Sequence, residues 1–122
     1  MSCPTMLKAN IDSAISEVHG KISKQVVELD EVMAIKVTFN PGAKWSIDLK
    51  EYAGTESCLL PHVAYVISGA IEILMDDGSK ETFRKGDIMM LPPGHDAWTV
   101  GDEACEFIQM SQGDNYYADV CC

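Results

Sequence analysis

The chain has 122 residues, 47% of them hydrophobic and 23% charged, with a mean hydropathy near zero. This length corresponds to one domain, and the near-average composition excludes the disordered, collagen-like and fibrous classes. The formal net charge of −10 disfavours nucleic acid and membranes as partners, because the phosphate backbone and anionic lipid would both be repelled.

Residues 1–23 are predicted to form an N-terminal lead-in ahead of the main domain. Apolar residues between positions 11 and 18 follow the i, i+3, i+4, i+7 spacing of an amphipathic helix, which predicts one short helix here. The lead-in has neither a basic start nor a long apolar stretch, so no secretory signal is expected.

From residue 24 to residue 112 the pattern changes to short runs of period two, which predicts β-strands. Turn-forming residues separate the runs, as in the hairpin signal Asp76-Asp77-Gly78-Ser79. The predicted strands cover residues 24–29, 32–39, 45–50, 59–68, 70–75, 80–83, 87–91, 97–100 and 105–111. Short strands without long helices between them predict an all-β sandwich or barrel over residues 24–112, followed by a C-terminal tail over residues 113–122.

Five cysteines lie at positions 3, 58, 105, 121 and 122, an odd number with no Cys-x-x-Cys pair. Without an export signal, these spacings argue against a disulfide framework and predict reduced thiols in the cytoplasm. Cys105 falls in the last predicted strand, where we expect a buried core residue.

Two motifs in the middle of the chain indicate a family. One is the frame Gly86-x5-Pro92-x-Gly94, and the other is the tract from His62 to Gly69. They lie in a segment, residues 54–103, that resembles a small single-domain cupin. The resemblance implies a cupin-type β-barrel, also described as a jelly roll or double-stranded β-helix. It does not determine the activity, because cupins include dioxygenases, isomerases, lyases, dehydratases, storage proteins and sensory domains.

The usual cupin metal ligands, three histidines and a glutamate, are incomplete in this chain. The cupin pattern has two conserved blocks, and the tract that ends at Gly69 corresponds to the end of the first. When this tract is aligned with the first block, Glu56 and Cys58 occupy the two histidine positions and His62 occupies the glutamate position. The second block contains the frame Gly86-x5-Pro92-x-Gly94. Its histidine position falls on Ala97, with His95 two residues earlier. The resemblance therefore implies a subgroup that lacks the usual set.

Thiolate sulfur and imidazole nitrogen favour transition metals over magnesium and calcium. On a regular strand, Glu56, Cys58 and His62 share one face, so all three are expected to point into the barrel. Two interpretations of these residues remain open, and one is a single divalent transition metal (zinc, iron, nickel, copper or manganese) bound by Cys58, His62 and His95. The alternative is a metal-free polar pocket in which Cys58 is an ordinary buried thiol.

His62 and His95 are the two histidines of the predicted barrel, and imidazole is a natural general acid or base near neutral pH. We predict that both are catalytic. Asp96 either orients His95 and completes an acid/base pair or is simply a turn residue. The predicted function is acid/base chemistry of the isomerase, dehydratase or lyase type on a small organic molecule. The alternative is a non-catalytic ligand-binding or sensory cupin.

Trp45 and Trp98 are predicted to form an aromatic wall for the ligand, although a Trp on a strand is also common in a core or a dimer interface. Met33 and Met75, whose thioether side chains adapt to irregular shapes, and Glu56 are predicted to complete the ligand-binding surface. The cupin resemblance also implies a homodimer, formed through an exposed strand edge.

Overall fold

The computed structural model describes residues 6–58 and 62–111. The elements of these residues, in chain order, are a 3-10 turn Ile11–Ser13, β1 Glu17–His19, β2 Ile22–Leu29, β3 Val32–Phe39, α1 Trp45–Asp48, α2 Lys50–Ala53, β4 His62–Ser68, β5 Ala70–Met75, β6 Lys80–Arg84, β7 Ile88–Leu91, β8 His95–Thr99 and β9 Cys105–Ser111. In this part of the chain, no helix has the length and apolar character that crossing a membrane requires. The predicted tail, residues 113–122, lies outside the described residues.

The strands form two antiparallel sheets. The larger sheet has the order β1-β2-β3-β9-β4-β7, and the smaller sheet has the order β6-β5-β8. Apolar side chains from both sheets meet in one core, in which Val66 and Met89 of the larger sheet and Ile71 of the smaller sheet are almost fully buried. The predicted all-β jelly-roll barrel is therefore confirmed.

Eight of the nine predicted strands are present in the described residues, and β3, β5 and β9 have the predicted bounds. The predicted hairpin is also confirmed, because Leu74 and Lys80 pair on either side of the turn. Period-two patterning is informative in these segments because each strand places one face on the core.

The strand predicted over residues 45–50 is wrong, since this segment forms α1 and the start of α2. Trp45 and Leu49 are spaced i, i+4 and both line the interior cavity, whereas Ile47 is 73% exposed. Alternating apolar residues fit both a strand and one turn of helix. Here the helix is stabilised because the Asp96 carboxylate accepts a hydrogen bond from the Ser46 N–H at 3.0 Å.

The helix predicted in the lead-in is also wrong, because it is limited to the 3-10 turn and is followed by strand β1. The apolar residues of the predicted helix do not pack on the core, because Ile15 is 92% exposed and Val18 is 63% exposed. Instead, residues 17–19 pair antiparallel with the start of β2, with Glu17 opposite Lys24. The larger sheet therefore begins within the predicted lead-in.

Candidate functional site

A cavity of about 400 Å³ lies inside the barrel and is lined by both sheets and both short helices. Most of its wall is apolar or aromatic, contributed by Ile22, Ile35, Val37, Phe39, Trp45, Leu49, Ala53, Ile71, Ile73, Met89, Leu91, Ala97 and Phe107. A cavity of this volume and lining is suited to a small organic molecule.

Three side chains of the cavity wall form a cluster of potential metal ligands. The ligand atoms of Cys58, His62 and His95 all lie within 4.8 Å of one another. The Cys58 Sγ is 3.5 Å from the His62 Nε2, and the two imidazole centroids are 5.3 Å apart. Cys58 and His95 are buried and His62 is partly buried. We refer to these three residues as the Cys-His-His cluster.

Backbone pairing brings the cluster together. Cys58 precedes β4 and forms an isolated bridge with His95, the first residue of β8. The Cys58 N–H donates to the His95 carbonyl at 2.7 Å, and the Gly94 N–H donates to the Cys58 carbonyl at 2.7 Å. The preceding residue is also held, because the Ser57 hydroxyl donates to the Asp76 carboxylate at 3.0 Å. The position of the thiol is therefore set by the β8 backbone.

Hydrogen bonds on the far side of each ring orient the two imidazoles. The His95 Nδ1 donates to the Pro92 carbonyl at 2.9 Å, since a carbonyl oxygen only accepts. The His62 Nδ1 donates to the Gln109 side-chain oxygen at 2.8 Å. Because the ring proton of each neutral histidine is on Nδ1, the lone pair is on Nε2. The His62 lone pair is thus on the atom next to the Cys58 sulfur.

The electrostatics of the cluster favour neutral His62. Burial lowers the pKa of His62 below its ordinary value, and the adjacent His95 ring acts in the same direction. The hydrogen bond to Gln109 raises the pKa but does not offset the burial. Neutral imidazole is the form that binds a metal ion or accepts a proton.

Two other groups of the cavity wall were not found by sequence reasoning. Gln109 lies in β9 two residues after buried Phe107, so strand alternation would have identified its inward side chain. The second group is at the exposed end of the cavity, where Glu17 pairs with His19 at 3.1 Å and with Lys24 at 3.3 Å. The His19 ring also packs on Tyr52, with a centroid distance of 4.0 Å.

Glu56 does not point into the barrel, so that prediction is wrong. Its side chain is 94% exposed and its carboxylate pairs with the Lys50 ammonium at 2.7 Å. The strand alternation applied to Glu56 fails because residues 54–57 form a turn after α2, where side chains do not alternate between two faces.

The predicted contributions of Asp96 and Trp98 to the site also need correction. The Asp96 carboxylate accepts hydrogen bonds from the backbone N–H groups of Ser46 and Ala97, and the His95 ring is instead oriented by a carbonyl. Trp98 lies outside the cavity wall, with the Lys44 ammonium 5.1 Å from its ring centroid. Both side chains stabilise the approach of α1 to β8.

Of the remaining predicted ligand-binding residues, Trp45 lines the cavity, whereas Met33 and Met75 do not. Met33 has the same strand parity as cavity-lining Ile35 but pairs with Ser111, near the end of the sheet. Met75 packs against the apolar core at the end of β5. Strand parity alone therefore does not identify a cavity-lining residue. Met33 has the correct parity but lies beyond the end of the cavity.

Comparison with known proteins identifies both a family and a fold. The model of the EutQ-like cupin domain matches residues 26–109 of the chain. A comparison with curated proteins found no match.

Solved structures with the same fold include the polyketide cyclase RemF from Streptomyces resistomycificus, which is 15% identical with a TM-score of 0.65, covering 88% of this chain and 80% of that one. A Cupin 2 conserved barrel domain protein from Salinispora arenicola is 18% identical with a TM-score of 0.63, covering 88% of both chains. A sugar phosphate isomerase of the cupin superfamily from Silicibacter pomeroyi is 19% identical with a TM-score of 0.62, covering 87% of this chain and 75% of that one. At these identities the likeness concerns the fold alone.

Proposed function

The chain belongs to the family of EutQ-like cupin domains, and on this basis we propose that it is a metal-dependent enzyme acting on a small organic molecule. One observation carries the proposal. The thiol of Cys58 and the imidazoles of His62 and His95 bring their ligand atoms within 4.8 Å of one another, and the far side of each ring is already hydrogen-bonded to an oxygen.

The donor set fits a transition-metal ion. For zinc bonds of about 2.3 Å to sulfur and about 2.0 Å to nitrogen in tetrahedral geometry, the two ligand atoms lie roughly 3.5 Å apart. The Cys58 Sγ and the His62 Nε2 are 3.5 Å apart. The Gln109 and Pro92 oxygens are the kind of outer partners that orient metal-binding histidines. Zinc, iron, nickel, copper and manganese are the ions we consider.

Cys58, His62 and His95 would hold a divalent metal, which would supply a Lewis acid next to an oxygen of the substrate. The chain's own residues hold the ion and exclude water. Phe39, Trp45 and Phe107 provide an apolar, aromatic surface for the body of the substrate. We propose acid/base reactions of the isomerase, dehydratase or lyase type on a substrate bound beside the Cys-His-His cluster.

The structural neighbours support an activity on small molecules. Of the three compared above, one is named a polyketide cyclase and another a sugar phosphate isomerase. The compartment we propose is the cytoplasm, because the site requires a reduced thiol.

A second candidate function is non-catalytic ligand binding. It is favoured by the scarcity of charged groups in the described cavity wall, where Glu17 and Lys24 lie at the exposed end and pair with each other. The two functions are separated by incubating metal-loaded protein with small carbonyl compounds in D₂O. Deuterium incorporation next to the carbonyl supports the enzyme, whereas thermal stabilisation without incorporation supports the binding protein.

The metal site is tested by titrating purified apoprotein with zinc and cobalt(II). We expect one ion per chain, with a thiolate-to-cobalt absorption band, and at least about tenfold weaker binding in Cys58→Ser and in His62→Gln. Cys105→Ser is the matched control, because Cys105 is a buried free cysteine outside the cavity wall and burial raises the pKa of its thiol to about 12. All variants are made in a Cys3→Ser/Cys121→Ser/Cys122→Ser background, which removes the thiols near both chain ends. Equal affinity of Cys58→Ser and Cys105→Ser would contradict the proposal.

A further inference from the structure

Polar side chains surround the exposed end of the cavity, in contrast to its apolar interior. Glu17 and His19 of β1, Lys24 of β2 and Tyr52 of α2 all line this end. We call these four residues the mouth cluster. Of the described residues that line the cavity, Lys24 is the only lysine or arginine. A permanent positive charge is therefore found in the cavity wall at the mouth cluster.

Two donors converge on one carboxylate oxygen in the mouth cluster. The His19 Nε2–H and the Lys24 ammonium both donate to the Glu17 Oε2, at 3.1 Å and 3.3 Å respectively, since a carboxylate oxygen only accepts. The hydrogen bond from His19 and then that from Lys24 lower the pKa of Glu17 below its ordinary value. The mouth cluster therefore stabilises a carboxylate in its charged form.

The two donors are held by contacts that do not involve the Glu17 carboxylate. The His19 ring packs on the Tyr52 ring with a centroid distance of 4.0 Å, and Lys24 lies in β2, which is paired with strands on both sides. Glu17 instead belongs to the three-residue edge strand β1, and its side chain is 47% exposed. Exposed ion pairs contribute little to stability, so the Glu17 side chain can turn into water at little cost.

The numbers of donors and acceptors determine which ligand charge the mouth cluster favours. An anionic group that takes the position of the Glu17 carboxylate displaces one side chain and meets two donors. A cationic group would have to displace both His19 and Lys24 to meet one carboxylate. The mouth cluster therefore favours a carboxylate over an ammonium group, through charge-assisted hydrogen bonds.

An apolar surface connects the mouth cluster with the Cys-His-His cluster. Lys24 is opposite Val37, and Val37 is opposite Phe107, so one row of the larger sheet runs from β2 through β3 to β9. Two residues after Phe107, the Gln109 side chain accepts the hydrogen bond from His62. All five of these side chains line the cavity. A ligand that contacts both clusters therefore has an apolar body between two polar ends.

We propose that the substrate is a small carboxylic acid with an apolar body, whose carboxylate binds Lys24 and His19 in the position of Glu17 and whose other end lies at the Cys-His-His cluster. This inference deepens the proposed function and rests on it for the choice of the cavity as the substrate site. Lys24 and His19 are specificity-determining residues, because they bind the end of the substrate that does not react.

The first test measures three probes of the same carbon skeleton, phenylpropionate, phenylpropanol and phenylpropylamine, by isothermal titration calorimetry of the metal-free full chain. We expect phenylpropionate to bind at least about tenfold more tightly than the alcohol or the amine. His62→Gln is expected to keep this preference, which separates the mouth cluster from carboxylate binding at the Cys-His-His cluster. Equal affinities of the acid and the alcohol, tightest binding of the amine, or loss of the preference in His62→Gln would overturn the proposal.

The second test removes the positive charge of the mouth cluster. Lys24→Met keeps an apolar stem without the ammonium, so we expect the preference for phenylpropionate to be lost. Lys50→Met is the matched control, because it removes the same charge from a lysine that pairs with Glu56 at 2.7 Å and lies outside the cavity wall. The proposal is wrong if Lys24→Met keeps the preference or if Lys50→Met loses it.

The third test is a gain of affinity, which a variant that merely folds poorly does not produce. Glu17→Gln removes the carboxylate that occupies the two donors and retains a side chain of the same size. We expect several-fold tighter binding of phenylpropionate, and unchanged or weaker binding contradicts the proposal. Because the probes are measured without metal, failure of the zinc titration described above leaves these results intact, and the two proposals can fail separately.

Discussion

Cys58 and His95 are joined by a two-way backbone bridge. The Cys58 N–H donates to the His95 carbonyl at 2.7 Å, and the His95 N–H donates to the Cys58 carbonyl at 3.2 Å. The two residues belong to distant parts of the chain, and the bridge sets their side chains on the same cavity wall. Backbone hydrogen bonds thus preorganise two of the three cluster residues.

Gly94→Ala is predicted to weaken this bridge. An added Cβ at Gly94 would lie 2.7 Å from the Asp76 carboxylate, which accepts the hydrogen bond from Ser57. Gly78→Ala is the matched control, because Gly78 has the same φ of 92° and nothing within 4 Å of its added Cβ. Both variants incur the cost of a left-handed conformation, about 1–3 kcal/mol. In denaturant unfolding, we expect Gly94→Ala to lose about 1 kcal/mol more, for the disturbed hydrogen bond.

Metal affinity separates the same two variants. Gly94→Ala is expected to bind zinc more weakly than the wild type, whereas Gly78→Ala is expected to keep wild-type affinity. Identical unfolding free energies and affinities in the two variants would show that the contact between Gly94 and Asp76 does not position Cys58.

Gln109→Leu is predicted to reduce metal affinity through His62. The side-chain oxygen of Gln109 accepts from the His62 Nδ1 at 2.8 Å, and without this acceptor the ring is no longer held. Loss of such an outer partner costs about 10–100-fold in metal affinity. Gln109→Glu retains an oxygen acceptor at the same distance from the backbone and is expected to bind far more tightly than Gln109→Leu. The measurement is competition with a chelator, and equal affinities of the two variants would exclude the positioning role.

The metal-free protein is predicted to lose stability as pH falls below about 6.5, the ordinary histidine pKa. Burial lowers the pKa of folded His62, so the unfolded chain takes up this proton at a higher pH than the folded chain does. The contribution of His62 is therefore fully present above the unfolded-state pKa and is lost as pH falls through the folded-state value.

The measurement is the unfolding free energy of apoprotein between pH 7.5 and about pH 5. His62→Gln removes this titration while leaving His19 and His95 in place, so the difference between wild type and variant isolates His62. We expect a shallower pH dependence in the variant, and parallel curves for the two proteins would contradict the prediction.

Ala97→Leu is predicted to fill part of the cavity. Ala97 is buried and lines the cavity, so the larger side chain enters open space and unfolding stability changes little. Ala70→Leu is the contrasting variant, because Ala70 is equally buried but lies outside the cavity wall, where overpacking costs about 1–3 kcal/mol. Binding of the apolar dye anilinonaphthalene sulfonate is expected to decrease in Ala97→Leu. Unchanged dye binding in Ala97→Leu would show that the cavity wall at Ala97 does not contact the bound dye.

Strand positions were predictable where burial alternates along the chain. In β7, for example, Met89 and Leu91 are buried whereas Ile88 and Met90 are exposed, which is the period-two pattern of a half-buried strand. The segment that begins at Trp45 was not predictable in this way, because a tertiary contact selects the helix. That contact is the hydrogen bond from the Ser46 backbone to the Asp96 carboxylate, fifty positions away.

The candidate site was predictable in composition but not in geometry. Residue type identified Cys58, His62 and His95 as potential ligands, and the cupin motif indicated that they belong to one barrel. Alternation failed for Glu56, because a turn precedes the bridge at Cys58. Gln109 was missed because glutamine on a strand carries no chemical signal until its partner, the His62 ring, is known.

By itself the sequence determined the all-β class and the positions of most strands, since hydrophobic periodicity is local and follows from which side of each strand meets the core. Only the tertiary structure decided which side chains share the cavity and which nitrogen of His62 lies next to the thiol of Cys58. These are set by long-range hydrogen bonds, from His62 to Gln109 and from Cys58 to His95. Such contacts join residues far apart in the chain, so no local pattern encodes them.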